Sequence, residues 1–287
     1  VVGGRLYCVR KDGSWTNVVT GEQVKTSSSK EGRNSDDLLS RMPMVPADKL
    51  WEEAWLDVAV ALARRHGEEY FICGYGVSPF TGCFSLLGFH RLMTAIYKEE
   101  ELLRSMMDRN LERSIEWLKY HKRAGIDGIW IQEYYTSADL ISPRTYRDSI
   151  FPYDEAYIKQ IRALGLIPIL NYMGDVMPRL EMLSQLDVVA LAVEESKKSF
   201  KIEIGKVRET LGWNICLFGN IDVVSVMRDG TEDDIKNEVF RQIKVAGERG
   251  AFVISTGSPL TLDTEPKKVD YMVQAARSYR RAHAREV

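Results

Sequence analysis

Ile215-Cys216-Leu217-Phe218 is the stretch that decides the fold, and Gly219-Asn220-Ile221-Asp222 follows it directly. A short apolar run of this kind suits a strand buried on both faces, and the polar cluster marks the end of that strand. Two further apolar runs, at 167–170 and 251–254, are followed by polar clusters in the same way. Because a helical pattern comes after each run, the sequence predicts an α/β fold with a parallel sheet.

Extending this reading along the chain gives six strand–helix units. The predicted strands lie at 70–73, 128–132, 167–170, 188–192, 215–218 and 251–254. A TIM (β/α)8 barrel has eight strands. We therefore predict a single barrel domain over 1–287 that lacks its first two strands in this chain, with the six units at 49–287. An open doubly wound sheet is the alternative, but no GxGxxG fingerprint supports it.

The first 48 residues are predicted to hold a hairpin and a mobile loop. Residues 6–10 and 15–19 flank Lys11-Asp12-Gly13-Ser14, and Asp-Gly is a favoured hairpin turn. The polar, serine-rich segment 25–37 has little to bury and is interpreted as the loop. The chain begins at Val1 rather than Met, which suggests a processed or trimmed chain.

The predicted helices carry start and stop signals. In the first half of the chain, Asp48 is the start signal of a helix to 66, Gly125 is the stop signal of a helix over 99–124, and Ser142-Pro143 is the start signal of a helix reaching 164. In the second half, Asp175 precedes a predicted helix over 176–184, Gly212 follows a predicted helix over 201–211, and Thr231 with Asp234 begins a predicted helix reaching 246. Residues 266–281 form the last predicted helix, and the glycine-rich segment 74–88 is interpreted as a loop.

Composition excludes several classes of protein. The net charge is -2, so no basic field is present to attract nucleic acid. The apolar runs are too short to span a bilayer, and the N-terminus has no signal-peptide pattern. The scattered cysteines are interpreted as reduced thiols, and the predicted location is cytoplasmic. They are Cys8, Cys73, Cys83 and Cys216. The sequence is compatible with a homo-oligomer as well as with a monomer.

Three residues at strand ends are predicted to be catalytic. Glu133 follows an apolar strand and is expected to point into the pocket, where a dry environment would raise its pKa and suit a general acid or base. The alternative is a solvated loop carboxylate paired with a nearby base. Of the next two tyrosines, Tyr135 is predicted to point inward and Tyr134 outward. Asp175 is the third candidate, although it is equally well placed to cap the following helix.

A second set of strand-end residues is predicted to bind substrate, by hydrogen bonding, packing or an anion-binding loop. The set is Asn171, Met173, Glu194, Asn220, Asp222, Ser255, Thr256 and Ser258. One of Glu194 and Glu195 is expected to face the pocket and the other to be solvated. The alternative interpretation of Asp222 is a helix cap, and the alternative interpretation of the 255–258 loop is an ordinary tight turn. The histidines lie away from the strand ends, so no metal site is predicted.

Several stretches in this order resemble the uroporphyrinogen decarboxylase superfamily, which also contains cobalamin-dependent methyltransferases. They are Ile141-Ser142-Pro143-Arg144-Thr145-Tyr146-Arg147 with Pro152, Leu170 to Asp175, Phe218-Gly219-Asn220-Ile221-Asp222, and Ser255-Thr256-Gly257-Ser258 with Asp263-Thr264-Glu265-Pro266. The resemblance runs from about Gly76 to the C-terminus. It implies a single (β/α)8 barrel whose opening segment carries the first two strands.

The chain departs from both branches of that superfamily. The methyltransferase branch binds a thiol-activating zinc through a His, a Cys and a second Cys, where this chain has Asn171, Met173 and Ser258. An amide, a thioether and a hydroxyl are poor zinc ligands. The decarboxylase branch has a His and a Tyr where this chain has Ser258 and Ser85. The amino-acid sequences of these loops are closer to those of the methyltransferase branch.

The resemblance therefore implies three alternatives for function. The first is methyl transfer between a corrinoid, carried on a partner protein, and a small O- or N-methyl substrate, without a zinc–thiol site and with no tightly bound cofactor. The second is decarboxylation of a tetrapyrrole carboxylate, for which the cationic groups would have to come from outside this chain. The third is a non-catalytic barrel that binds a small molecule. Fold alone does not choose among them.

Overall fold

The computed structural model describes residues 7–9, 15–17, 23–24 and 35–283. Near the N-terminus, strands β1 (Tyr7–Val9), β2 (Trp15–Asn17) and β3 (Gln23–Val24) pair antiparallel in that order. The pairing of β1 with β2 confirms the predicted hairpin. Its turn at 11–14 lies outside the described residues, as does the predicted loop up to residue 34.

From residue 35 onward, helices alternate with strands. In chain order the elements are α1 (Ser35–Ser40), α2 (Ala47–Glu52), α3 (Asp57–His66), β4 (Cys73–Val77), α4 (Pro79–Lys98), α5 (Glu100–Arg123), β5 (Gly128–Glu133), α6 (Pro143–Ser149), α7 (Phe151–Ala163), β6 (Ile167–Tyr172), α8 (Leu180–Leu183), β7 (Ala190–Val193), α9 (Ile204–Leu211), β8 (Cys216–Phe218), α10 (Glu232–Gln242), β9 (Phe252–Val253) and α11 (Lys267–His283). A 3-10 turn at Met177–Arg179 and π-helical turns at Val223–Arg228 and Ile243–Gly247 complete the described elements.

Strands β4 to β9 form one six-stranded sheet in chain order. The pairs β6–β7, β7–β8 and β8–β9 are parallel, with Leu170 opposite Leu191 and Leu217 opposite Phe252. Helices follow the strands, as parallel connections require. The predicted α/β class with a parallel sheet is therefore confirmed.

The chain divides into two compact units. The first comprises Val1–Ile129 with Lys159–Ile167, and the second comprises Trp130–Ile158 with Pro168–Val287. The prediction of one barrel domain over the whole chain stays a prediction. In the stretch 35–283, no helix combines the length and apolar character needed to cross a membrane.

In the first unit, helices α4 and α5 pack against each other and bury Phe80, Leu92, Met106 and Leu118. The predicted loop at 74–88 is wrong, because α4 begins at Pro79 and Ser78 caps it by accepting from the Thr81 amide at 3.2 Å.

Three further boundaries differ in this unit. The strand predicted at 70–73 is β4, three residues later, and Gly74 within it avoids a side chain that would lie 2.9 Å from His121 Nε2. The helix predicted over 48–66 is divided into α2 and α3. The division falls at Ala54, which has φ +58°, and the Leu56 amide donates to Tyr120 Oη at 2.6 Å instead of to a helical carbonyl. Residues 35–37, expected in the loop, belong to α1.

In the second unit, the core centres on the sheet, where Ile131, Leu170, Leu191 and Leu217 are at most 1% exposed. These side chains come from four adjacent strands and pack as the near-continuous apolar runs of a parallel sheet do. A second apolar cluster, which includes Met227, joins the turn Val223–Arg228 to α10 and α11. Ile221, which follows β8, and Ile254, which follows β9, belong to this second cluster.

Most helix signals in this unit are confirmed. Ser142 Oγ accepts from the Thr145 amide at 3.1 Å, and Thr231 and Asp234 form the predicted capping box. The helix predicted from 142 to 164 is two helices, α6 and α7, because Pro152 has no N–H to donate into the preceding turn. The helix after 175 is a 3-10 turn followed by the four-residue α8.

Candidate active site

A cavity of about 270 Å³ lies at the C-terminal ends of the strands of the second unit. Strands β5, β6 and β7 and the loop after β9 contribute to its wall. The lining residues are Trp130, Gln132, Tyr134, Asn171, Met173, Ala192, Val193, Ser255, Thr256, Gly257, Ser258 and Pro259. The predicted binding residues Asn171, Met173, Ser255, Thr256 and Ser258 are thus brought together in one wall.

Strand β5 presents its even-numbered residues to the cavity. Trp130, Gln132 and Tyr134 line it, whereas Ile131 and Glu133 project from the opposite face and are fully buried. The expectation that Glu133 points into the pocket is therefore wrong, because the register of the strand places it on the other face. For the same reason Tyr134, and not Tyr135, is the tyrosine in the cavity wall.

Glu133 lies instead in a buried polar cluster with Tyr146, Asp154, Tyr172 and Arg179. Tyr146 Oη donates to Asp154 Oδ2 at 2.6 Å, and the Arg179 guanidinium lies 4.4 Å from the centre of the Tyr146 ring. Arg179 also donates to the Ile141 carbonyl. The cluster joins the end of β5 to helices α6 and α7.

Two carboxyl groups meet in this cluster. Burial, and then the negative charge of Glu133, raise the pKa of Asp154 well above its usual range. A hydrogen bond between the two carboxyls adds to this rise, while Tyr146 and Arg179 oppose it. Burial and the neighbouring carboxylate therefore both disfavour the ionised form of Asp154. The catalytic role of Glu133 stays a prediction, although Glu133 does not lie in the cavity wall where that role placed it.

The acidic pair after β7 forms a network beside the cavity wall. Ser258 Oγ donates to Glu195 Oε2 at 2.8 Å and lies 3.3 Å from Glu194 Oε1. Lys197 Nζ forms an ion pair of 3.0 Å with Glu194 Oε1, hydrogen-bonds to Glu195 Oε1, and lies 3.3 Å from Ser258 Oγ. The expectation that one glutamate is solvated is wrong, because Glu195 is 2% exposed and both are held by Lys197.

A backbone amide and two side-chain amides hold Glu194 of this network in place. The Gly174 amide donates to Glu194 Oε2 at 2.8 Å. Asn220 Nδ2 donates to the Glu194 carbonyl at 3.2 Å, and Gln242 Nε2 donates to Asn220 Oδ1 at 3.2 Å. Asn220, predicted to bind substrate, is thus 7% exposed and supports the backbone of Glu194.

Two predicted aspartates accept hydrogen bonds from backbone amides near the starts of helical turns. Asp222 Oδ1 accepts from the amides of Val224 and Ser225, each at 2.8 Å. Burial alone would raise the pKa of Asp222, but these hydrogen bonds and the charge of Lys197 lower it. Asp175 Oδ1 accepts from the Met177 amide at 3.1 Å. The capping alternative is therefore confirmed for Asp222. Asp175 precedes Val176, which holds the N-cap position of the 3-10 turn, so Asp175 is not the N-cap. The roles of both aspartates in substrate binding and catalysis stay predictions.

Three residues of the site were not predicted from the sequence: Trp130, Gln132 and Lys197. Trp130 packs edge-on against Phe218, with ring centres 5.4 Å apart, and sets one wall of the cavity. The available signal was the alternation along β5, which makes Trp130 and Gln132 share a face with Tyr134. Lys197 carried no comparable signal, because it lies in a polar stretch that looks like a solvated loop.

The zinc site of the methyltransferase branch does not fit these residues. The corresponding side chains are Asn171, Met173 and Ser258, and Ser258 Oγ is already engaged by Glu195. Within the described ranges, no group of three or more His, Cys, Asp or Glu side chains is arranged to hold a metal ion. The prediction of no metal site stays a prediction, which elemental analysis for zinc would test.

Comparison with protein families gives a match to the uroporphyrinogen decarboxylase (URO-D) family over residues 30–279. This match covers most of the chain. The chain therefore belongs to the uroporphyrinogen decarboxylase family, and the resemblance drawn from the sequence motifs is confirmed.

Relatives within the family include both branches. Methylcobamide:CoM methyltransferase MtbA of Methanosarcina mazei is 23% identical over 222 residues, covering 76% of this chain and 61% of that protein. Uroporphyrinogen decarboxylase of Citrifermentans bemidjiense is 24% identical over 226 residues, covering 76% and 63%. The chain thus spans about six-tenths of the length of these relatives, and sequence identity does not separate the two activities.

The fold is similar to a solved structure described as a methyltransferase from Methanosarcina mazei. The TM-score is 0.69 and the sequence identity 24%, and the match covers 82% of this chain and 67% of that one. This similarity supports the predicted barrel-type α/β fold. It carries no conclusion about activity.

Proposed function

We propose that this chain takes part in methyl transfer between a small O- or N-methyl compound and a corrinoid delivered by a partner protein. The observation that carries the proposal is the chemistry of the cavity wall. The described lining residues are all uncharged, and they combine two aromatic rings, a thioether, two amides and four residues of the 255–258 loop. Such a wall suits a small substrate of low charge.

The same wall argues against a tetrapyrrole carboxylate as the substrate of these residues. Several carboxylates need several cationic partners, and Arg is the usual one. The nearby cation, Lys197, is already paired with Glu194 and Glu195. At about 270 Å³ the cavity is also at the small end of the range for ligand sites.

In the proposed reaction the carbon–oxygen or carbon–nitrogen bond of the substrate would break as the methyl group passes to the reduced corrinoid of the partner protein, which would supply the electron pair of the new bond. The electron pair of the broken bond would stay on the oxygen or nitrogen, which would take a proton from water. Ser258 Oγ lies in the wall and donates its own proton to Glu195. A lone pair of the same oxygen can therefore accept a hydrogen bond from the protonated heteroatom and orient it.

The proposal is tested by incubating the protein separately with methylcobalamin and with uroporphyrinogen. Methylcobalamin, offered with candidate O- and N-methyl acceptors, is followed by its absorbance, and uroporphyrinogen by the number of carboxylates left on the product. Methyl transfer predicts a change only in the first reaction. Loss of carboxylates in the second would establish decarboxylation, and no change in either would support a non-catalytic binding protein.

Ser258→Ala tests the assigned site. We expect this variant to lose about tenfold or more of the methyl-transfer rate, because the leaving group loses its hydrogen-bonding partner. Ser149→Ala is the matched control, since Ser149 is an exposed serine at the end of α6 that does not line the cavity. Equal rates for Ser258→Ala and wild type would remove Ser258 from the reaction.

A further inference from the structure

Lys197, whose side chain is 38% exposed, is the centre of an electrostatic cluster at the edge of the cavity wall. Its ammonium carries three N–H donors, and three oxygens surround it: Glu194 Oε1, Glu195 Oε1 and Ser258 Oγ. Partial burial alone would lower the pKa of Lys197, but the hydrogen bonds with Glu195 and Glu194 raise it, so the ammonium stays charged.

The two glutamates need a cation between them. Ser258 Oγ is within 3.3 Å of an oxygen of each carboxylate, so the two charges lie close together. Glu195 is buried and the Glu194 side chain is only 14% exposed, which limits the water available to screen their repulsion. One positive charge held against both oxygens removes most of that repulsion.

We propose that Lys197 is a positioning residue that takes the place of a divalent cation in this site: its ammonium fixes Glu194, Glu195 and Ser258 and excludes a metal ion. The inference deepens the proposed function and rests on it for assigning the cavity to chemistry. The test measures metal binding and not turnover, so the inference and the proposed function can fail separately.

If the ammonium of Lys197 excludes a metal ion, the oxygens of Glu194, Glu195 and Ser258 should bind one when the ammonium is removed. Two carboxylates and a hydroxyl are hard oxygen donors, which suit Mn²⁺ better than Zn²⁺. While the ammonium occupies the space between them, a second cation is repelled. Removing the ammonium leaves the oxygens in place, held by Gly174 and by the loop carrying Ser258, and opens the cluster to a metal ion.

The experiment is a titration of the purified chain with Mn²⁺, with the free ion measured by electron paramagnetic resonance. We expect Lys197→Met to bind one Mn²⁺ per chain at least tenfold more tightly than the wild type. Lys198→Met is the matched control, because it removes the neighbouring exposed lysine, and it should behave as the wild type does. Lys197→Met combined with Glu195→Gln should lose the acquired binding.

Two outcomes would overturn the inference. One is stoichiometric Mn²⁺ or Zn²⁺ binding by the wild type that disappears in Glu195→Gln. The other is a Lys197→Met protein that folds, by circular dichroism, but binds Mn²⁺ no better than the wild type. If Lys197→Met does not fold, Lys197→Gln serves in its place, since its amide keeps a polar group in the same position without the charge.

Discussion

Asp154 shows how single residues couple the fold to pH. It is 2% exposed and contacts Tyr146 and Glu133, and its pKa is raised because burial and the charge of Glu133 disfavour its ionised form. In the unfolded chain the same carboxyl ionises near pH ~4. Folding therefore takes up a proton above that pH, and the contribution of Asp154 to stability declines as pH rises through its folded pKa.

Asp154→Asn tests this linkage. Asn keeps a group that donates to Glu133 and an oxygen that accepts from Tyr146, but it does not titrate. We expect the variant to gain stability relative to the wild type as pH rises from about 4. Urea unfolding of both proteins at pH 4.5 and pH 8 measures the difference. A difference that is the same at both values, or that shrinks at pH 8, would contradict the raised pKa.

The position of Glu133 shows what the sequence left open at this scale. The run Gly128-Ile129-Trp130-Ile131 is apolar on both faces, so its pattern predicts a buried strand but not which face meets the cavity. The strand was predicted correctly and its orientation was not. The contact of Lys197 with Ser258 was equally out of reach, because these two residues are 61 positions apart in sequence.

At the scale of elements, the loop after β9 is held tightly against the loop after β7. A Cβ on Gly257 would overlap the backbone nitrogen of Glu195 and lie 2.8 Å from the Glu194 carbonyl carbon. Backbone atoms cannot move aside as the end of a flexible side chain does. The absence of a side chain at Gly257 therefore permits the contacts between Ser258 and the two glutamates.

We expect Gly257→Ala to destabilise the protein by about 1–3 kcal/mol, as overpacking does, and to weaken binding in the cavity. Gly205→Ala is the control. Its Cβ would meet Val245 at an ordinary 3.6 Å inside α9, so it should be neutral or stabilising by up to about 1 kcal/mol. Thermal and urea unfolding compare the two. Equal stability of both variants would show that the two loops have room to separate.

Element types and ends were the part of the fold most open to sequence reasoning. The Ser142-Pro143 signal gave the start of α6, yet the same signal at Ser78-Pro79 was outweighed by the glycines around it, and α4 was interpreted as a loop. Gly74 explains the shift of β4: it suits a close approach of His121, which the local pattern does not record. Local signals predict elements, and long-range packing sets their boundaries.

At the scale of the whole molecule, the second unit separates stability from chemistry along its strands. Arg208 lies at the N-terminal ends of β8 and β9, where it donates to the carbonyls of Ile215 and Ala251 at 2.8 and 2.6 Å. It also donates to the carbonyls of Gly212 and Ala246. The cavity lies at the opposite, C-terminal ends of the strands. In barrels of this kind residues at the N-terminal face serve stability and those at the C-terminal face serve catalysis.

Arg208→Met tests this separation. The change leaves four carbonyls without their donor, and the contacts to two of them, Ile215 and Ala246, are buried. We therefore expect a loss of about 3 kcal/mol or more in the free energy of unfolding. Arg249→Met is the control. Arg208 and Arg249 both lie over the Trp213 ring, at 4.7 and 5.1 Å from its centre, but Arg249 is exposed, so its loss should cost less than about 0.5 kcal/mol. The rate of the proposed methyl transfer per folded molecule should be unchanged in both. Ser258→Ala should show the reverse, with a slower reaction at nearly unchanged stability. If the rate in Arg208→Met fell as far as in Ser258→Ala, the two ends of the strands would be coupled.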